Sequence, residues 1–224
     1  MSSGPPGAAG HYFQAEPSAP SRPATVHLHL PDVDVELGVD RGVFSAGRVD
    51  PGTMHLLRVL PPLPGGDILD LGCGYGPIAC TLARRSPDAT VWAVDVNQRA
   101  LALTAANAAS LGLGNVRAVA PDDVPGGLRF SAMVSNPPIK VGKLALHEML
   151  QRWLPRVAPG GEAWMVVHRH LGADSLAAWL TSGGRAVERR GSKQGYRLLR
   201  VTAAPAATPP APGPAGGDGP GSAG

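Results

Sequence analysis

The run Ile68-Leu69-Asp70-Leu71 breaks abruptly into Gly72-Cys73-Gly74-Tyr75-Gly76 and then into Pro77 and a helical pattern. Few features restrict a fold more. A short apolar strand, glycines at alternate positions and a helix start suit a chain that turns sharply while its backbone closes on a ligand. Pro77 stands where a first helical turn accepts proline, and Ile78 to Arg85 continue the helix. The alternation then repeats. Strands are predicted over Thr90 to Val94, Val116 to Ala120, Ser131 to Ser135, Ala163 to His168 and Tyr196 to Val201. Helices are predicted over Gln98 to Ser110, Leu144 to Val157 and Ser175 to Leu180, the first stopping at Gly112 and Gly114. Repeated strand–helix units imply an α/β fold with a mostly parallel sheet and helices on both faces. Ligands in such sheets bind outside the carboxyl ends of the strands. The glycine loop, Asp95, Asp122-Asp123 and Asn136 all fall on that edge.

Residues 23–41 read differently. Val26, Leu28 and Leu30 alternate with His27 and His29, and Val33, Val35 and Leu37 repeat the pattern after Pro31-Asp32. A β-hairpin appendage is expected there. Residues 1–22 look like a disordered leader, and 203–224 a disordered tail of Ala, Pro and Gly apart from Thr208, Asp218 and Ser222. This leaves 42–202 as the main domain. Lys plus Arg exceed Asp plus Glu by only 20 to 17, an excess that allows a nucleic-acid partner without demanding one. Cys73 and Cys80 do not form a secreted disulfide framework. No apolar run reaches membrane-spanning length and no signal peptide is visible, so a soluble cytoplasmic protein is expected.

The glycine spacing is G-x-G-x-G behind an acidic residue, not the G-x-G-x-x-G of a pyrophosphate site. Asp95, at the end of the second strand, suits a carboxylate that accepts both hydroxyls of a ribose. A carboxylate there can also simply cap the next helix; the loop upstream favours the ribose. Asp122 or Asp123 can accept an adenine's exocyclic amine or merely make a turn after Pro121, with Asp122 preferred. Asn136-Pro137-Pro138-Ile139 ends the fourth strand. An aromatic amine or amide nitrogen is a poor nucleophile because its lone pair is delocalised. Acceptors at the Asn136 side-chain oxygen and the Pro137 carbonyl would hold its N–H groups and stabilise the charge that develops as it attacks. The prolines stiffen those acceptors. His168 and His170 lack a third ligand at matching spacing, so no metal site is expected. Trp153 and Trp164 read as core.

The segments Asp70 to Gly76, Asp95 and Asn136-Pro137-Pro138 resemble class I S-adenosylmethionine-dependent methyltransferases of the small-domain N-methylating branch. Gly42-Val43-Phe44-Ser45 and Val49-Asp50-Pro51-Gly52-Thr53 resemble the entry to the catalytic domain of ribosomal RNA guanine-N2 methyltransferases. The resemblance implies a Rossmann-like, mostly parallel seven-stranded sheet and S-adenosylmethionine as cofactor. It puts Asp70, Gly72, Gly74 and Gly76 at the cofactor, Asp95 at its ribose and Asp122 at its adenine. It makes Asn136, Pro137 and Pro138 catalytic, Ile139 and Phe44 substrate-binding, and has Phe44 and Asp50 close the pocket. The implied substrate is a guanine amine in small-subunit ribosomal RNA, with ribosomal RNA or the subunit as partner. A protein glutamine, or a non-catalytic cofactor- or RNA-binding role, are the alternatives.

One departure stands out. The fourth motif position, aromatic in this branch and stacked on the target base, is Ile139 here. Phe44, Tyr12 or Phe13 are the candidates to replace it. Lys140, Lys143, Arg48 and Lys193 are candidates to grip RNA.

Overall fold

A computed structural model describes residues 20–43, 47–139 and 142–203. Its strands are β1 (Ala24–His29), β2 (Asp34–Val39), β3 (Asp67–Leu71), β4 (Thr90–Val94), β5 (Val116–Val119), β6 (Phe130–Ser135), β7 (Val157–His168), β8 (Arg185–Lys193) and β9 (Tyr196–Ala203). Its helices are α1 (Pro51–Val59), α2 (Pro77–Arg85), α3 (Gln98–Ser110), α4 (Lys143–Trp153) and α5 (Ala173–Ser182). The main sheet has seven strands in the order β5-β4-β3-β6-β7-β9-β8. The first five run parallel; β9 is antiparallel to both β7 and β8.

Strand alternation sorts the core into two layers. On β3, Ile68 packs with α1, α2, α3 and the hairpin, whereas Leu69 and Leu71 pack with α4 and α5. Both layers are closed, which is why these parallel strands read as continuous apolar runs. Leaving β3 the chain builds outward through β4 and β5, then returns to place β6 on the other side of β3. The carboxyl ends of β3 and β6 therefore flank a topological switch point, the crevice where α/β sheets take ligands.

The β1–β2 hairpin pairs Ala24 with Val39 through His29 with Asp34. Its inward residues, Val26, Leu28, Leu30, Val33, Val35, Leu37 and Val39, share one cluster with α1–α3. Leu28 and Leu37 are fully buried, each contributing about 1.5–3 kcal/mol relative to exposure. Asn107 on α3 fastens it: Nδ2 donates to Gly38 O and Tyr75 O, and Oδ1 accepts from Gly38 N. Arg85 adds a two-pronged ion pair with Asp32.

Two elements go beyond the sequence expectations. α1 lies where only a motif was evident, although Asp50 at its N-cap and Pro51 at its first turn are standard start signals. β8 carries Glu188-Arg189-Arg190 and is largely exposed, so as a charged edge strand it lacks apolar alternation. It supplies the seventh strand. α4 ends at Trp153, because Pro155 turns Leu154–Arg156 into a 3-10 turn. β7 begins at Val157 rather than Ala163; the Pro159-Gly160-Gly161 stretch that hides it pairs irregularly with β6.

Candidate functional site

A cavity of about 630 Å³ opens at the switch point, lined by the glycine loop, Asp95, the Asn-Pro-Pro segment and the start of α1. β3 and β6 are hydrogen-bonded neighbours, with Asp70 level with Val134. Ser135 Oγ donates to Leu71 O at 2.7 Å and locks the two strand ends together. A Cβ placed on Gly72 would lie 3.6 Å from the Pro138 ring, so the two motifs meet directly.

The loop is tied down by β4. Gly72 N and Cys73 N both donate to Val94 O, and Gly74 N donates to Asp95 Oδ2 at 3.0 Å. Gly72, Gly74 and Gly76 all have positive φ, so the bend demands residues without a Cβ. Asp95 Oδ1 accepts from Asn97 N, and burial raises its pKa. Its carboxylate faces the cavity with lone pairs to spare. Capping of α3 falls to Asn97, whose side chain accepts from Arg99 N and Ala100 N. Asp95 therefore does not serve as that cap.

Asn136 is oriented by its neighbours. Its Nδ2 donates to Asp50 Oδ1 and to Thr53 Oγ1, each at 2.9 Å. Both N–H bonds are used, so the oxygen is the free end of the amide. Asp50 is the hub: Oδ1 also accepts from Thr53 N, and Oδ2 accepts from the Tyr196 hydroxyl at 3.1 Å. Tyr196 reaches it because residue 52 is glycine; a Cβ there would stand 2.5 Å from the ring. The Pro137 carbonyl accepts from Ile139 N, which leaves it one lone pair.

Asn136, Pro137, Pro138, Ile139, Gly72, Gly74 and Asp95 all line the cavity. Asp70 and Gly76 stand behind it. Asp70 is fully buried, its Oδ2 accepting from Ala79 N at the start of α2 while Oδ1 has no partner. Burial pushes its pKa up to about 8. Gly76 is the left-handed cap of α2 and packs on Thr104. Asp122 is not brought in: its side chain is 90% exposed and turned outward to Arg152 at 2.7 Å. Pro121 lines the cavity in its place. Phe44, Tyr12, Phe13 and Lys140 lie outside the described residues.

Thr53 and Tyr75 stood in the sequence only as members of their motifs and Tyr196 only as the start of a strand; none was given a role at the site. His168 was weighed only as a metal ligand, yet it lines the cavity beside Tyr196, the rings edge to face at 4.9 Å. Among the described residues no group of three His, Cys, Asp or Glu could hold a metal, and no helix is long and apolar enough to cross a membrane.

Comparison with known proteins agrees with this geometry. The chain is 34% identical to the uncharacterized Bacillus subtilis (strain 168) protein YbxB over 196 residues, 85% of this chain and 97% of that one. It is 36% identical to ribosomal RNA small subunit methyltransferase C of Pseudomonas aeruginosa (strain LESB58), covering 70% of this chain but 52% of the relative. The chain thus spans about half the length of the named methyltransferases it matches. Among solved structures, a T. thermophilus 16S rRNA N2 G1207 methyltransferase in complex with AdoMet and guanosine superposes with a TM-score of 0.70 at 25% identity. That match covers 84% of this chain and 52% of the other. The family model for the methyltransferase small domain matches residues 34–200, and the chain belongs to that family.

Proposed function

We propose that the chain is an S-adenosylmethionine-dependent methyltransferase that methylates the exocyclic amine of a guanine in small-subunit ribosomal RNA. The observation that carries this is the Asn136 amide. Both its N–H bonds are held by Asp50 and Thr53, so its oxygen stands as an acceptor at the cavity, beside the glycine loop.

The residues fit the cofactor. The cavity volume lies in the range of small-molecule sites. The loop carries no Cβ at Gly72, Gly74 and Gly76, Asp95 offers a carboxylate at the end of β4, and Asp70, whose Oδ1 is unpartnered, stands behind the cavity. When bound, the cofactor supplies an electrophilic methyl group on a sulfonium. Asp95 would hold the ribose, and Gly72 and Gly74 the methionine portion. Asp122 reaches the adenine only by leaving Arg152. Asn136 Oδ1 and the Pro137 carbonyl would take the two N–H bonds of the amine and aim its lone pair at the methyl carbon. The N–C bond forms as the C–S bond breaks, leaving a neutral thioether. The amine then loses a proton to solvent, so no dedicated base is needed.

Tyr196 and His168 are half-exposed rings on the cavity wall, and they supply the aromatic face that Ile139 lacks. Arg48, Lys143 and Lys193 are exposed cations suited to an RNA backbone. The cytoplasm is the expected location. Incubation with methyl-tritiated cofactor and either small ribosomal subunits or total protein tests the reading. Label in guanine of small-subunit RNA supports it; label in protein glutamine, or none, overturns it.

A further inference from the structure

A second concavity, of about 250 Å³, is lined by Val49, Pro51, Met54, His55, Arg58, Lys193 and Gln194. It borders the main cavity through two segments. Val49 and Pro51 flank Asp50, and the turn carrying Lys193 and Gln194 leads directly into Tyr196. No acidic side chain lines it. Arg85, Arg152, Arg189, Arg197 and Arg200 each pair with a carboxylate. Arg58 and Lys193 make no such pair among the described residues. Both side chains are exposed, so two positive charges with no carboxylate beside them attract an anion to this hollow.

The hollow is also built. The β8–β9 ladder slips register between Arg189 and Gly191, and such bulges re-aim chain beside functional sites. Gly191 lets the hairpin lie against His55, since a Cβ there would stand 3.3 Å from Nε2. His55 is 8% exposed, and its Nε2 has no hydrogen-bond partner. Gln194 is, among the described residues, the one non-glycine at positive φ. Gln194 and Gly195 form the two-residue turn between the paired Lys193 and Tyr196, a hairpin geometry that takes positive φ at both positions and fixes where Lys193 stands.

We infer that this pocket holds one phosphate of the substrate RNA backbone, next to the nucleotide presented to Asn136. The inference rests on the RNA reading above, and it assigns Arg58 and Lys193 to a single phosphate.

Two measurements on the full chain test it. In the first, backbone amide resonances are followed as inorganic phosphate is added, for wild type and for Arg58→Ala/Lys193→Ala. Saturable shifts at His55–Arg58 and Lys193–Gly195, absent in the double variant, are expected. No saturable shift there overturns the site. In the second, the affinity for a single-stranded ribosomal RNA fragment is measured against salt. If both cations serve one phosphate, the double variant's slope falls by about 0.7, and each single variant takes most of that loss. Cofactor affinity by calorimetry should not change. Phosphate shifts with an unaltered RNA slope would keep an anion site but overturn the RNA assignment. If methylation of RNA fails in wild type while the phosphate shifts persist, the functional reading falls and the phosphate site stands on its own.

Discussion

Replacing Asp50 separates holding the fold from aiming Asn136. The Asp50 carboxylate accepts from the Asn136 amide, from Thr53 N and from the Tyr196 hydroxyl. In Asp50→Ala the Asn136 amide keeps only Thr53 Oγ1, a hydroxyl that can donate as readily as accept. The charged hydrogen bond that sets the amide's orientation is lost, and such bonds contribute about 1.5–3 kcal/mol. At about 1.4 kcal/mol per tenfold, single-turnover methyl transfer should slow by roughly tenfold to 150-fold. Stability should fall too. The lost α1 cap costs about 1 kcal/mol, and an unpaired Tyr196 hydroxyl costs about 1 more. The thermal midpoint should drop by roughly 4–8 °C. Asp50→Asn keeps an acceptor for Asn136 and Thr53 and turns its NH2 toward Tyr196, so its transfer rate should stay within about fivefold of wild type. Rates are to be normalised to cofactor-binding sites counted by calorimetry. Wild-type turnover per site in Asp50→Ala would refute the aiming role, as would Asp50→Asn slowing as far as the alanine variant.

Asn136→Ala should cut transfer by about 10²–10³ while cofactor affinity is unchanged, and Asp95→Ala should do the reverse, weakening calorimetric cofactor binding first. Tyr196→Ala should raise the RNA KM by roughly 5–150-fold, the range of one lost stacking contact, whereas Tyr196→Phe keeps the face and should leave that KM near wild type while the lost bond to Asp50 slows transfer. Asn107→Ala removes the bonds to Gly38 and Tyr75; a loss of about 2–4 kcal/mol should lower the calorimetric midpoint by roughly 5–15 °C. Asp70 sets a pH dependence. Its pKa is about 8 in the folded chain against 3.8 as reference, so across that window the folded state keeps a proton the unfolded state releases. Stability of the cofactor-free protein should therefore decline as pH rises from about 4 to about 8, and Asp70→Asn should flatten that limb in denaturant titrations.

The parallel half of the sheet was legible in the sequence because β3, β4 and β6 at its centre carry buried apolar residues on both faces and are bounded by turn residues. Thr90 to Val94 and Gln98 to Ser110 were readable to the residue. β8 was not, because an exposed edge strand is selected for charge rather than alternation. The site divides the same way. Gly72, Asp95 and Asn136 sit at strand ends, where short motifs mark them. Thr53 and Tyr196 join the site only through tertiary hydrogen bonds, and no local spacing announces a partner 83 or 146 residues away. Asp50 was named through its motif as a pocket-closing residue, but its bonds to Asn136 and Tyr196 belong to the fold.

The donor and acceptor halves of the site are separated widely in sequence yet fixed to each other by the backbone. β3 and β6 are adjacent parallel strands in register, so the residues just past their ends must lie side by side. Ser135 Oγ on Leu71 O removes the remaining play between those ends. What the sheet cannot fix is the rotation of the Asn136 amide about its last torsion, a broad two-fold well. That freedom is removed from outside the sheet, by α1, through Asp50 and Thr53. α1 is in turn held against β9 by Tyr196, whose ring fits only because Gly52 has no side chain. Gly52→Ala should then act through the hub: it touches neither Asn136 nor the glycine loop, yet its Cβ displaces the Tyr196 ring and crowds Asp50 Oδ1 at 2.9 Å. The expected result is a loss of transfer rate comparable to Asp50→Ala, with cofactor affinity preserved. A Gly52→Ala variant that methylates at the wild-type rate would show that the amide's orientation does not depend on the packing of Asp50 and Tyr196 around residue 52.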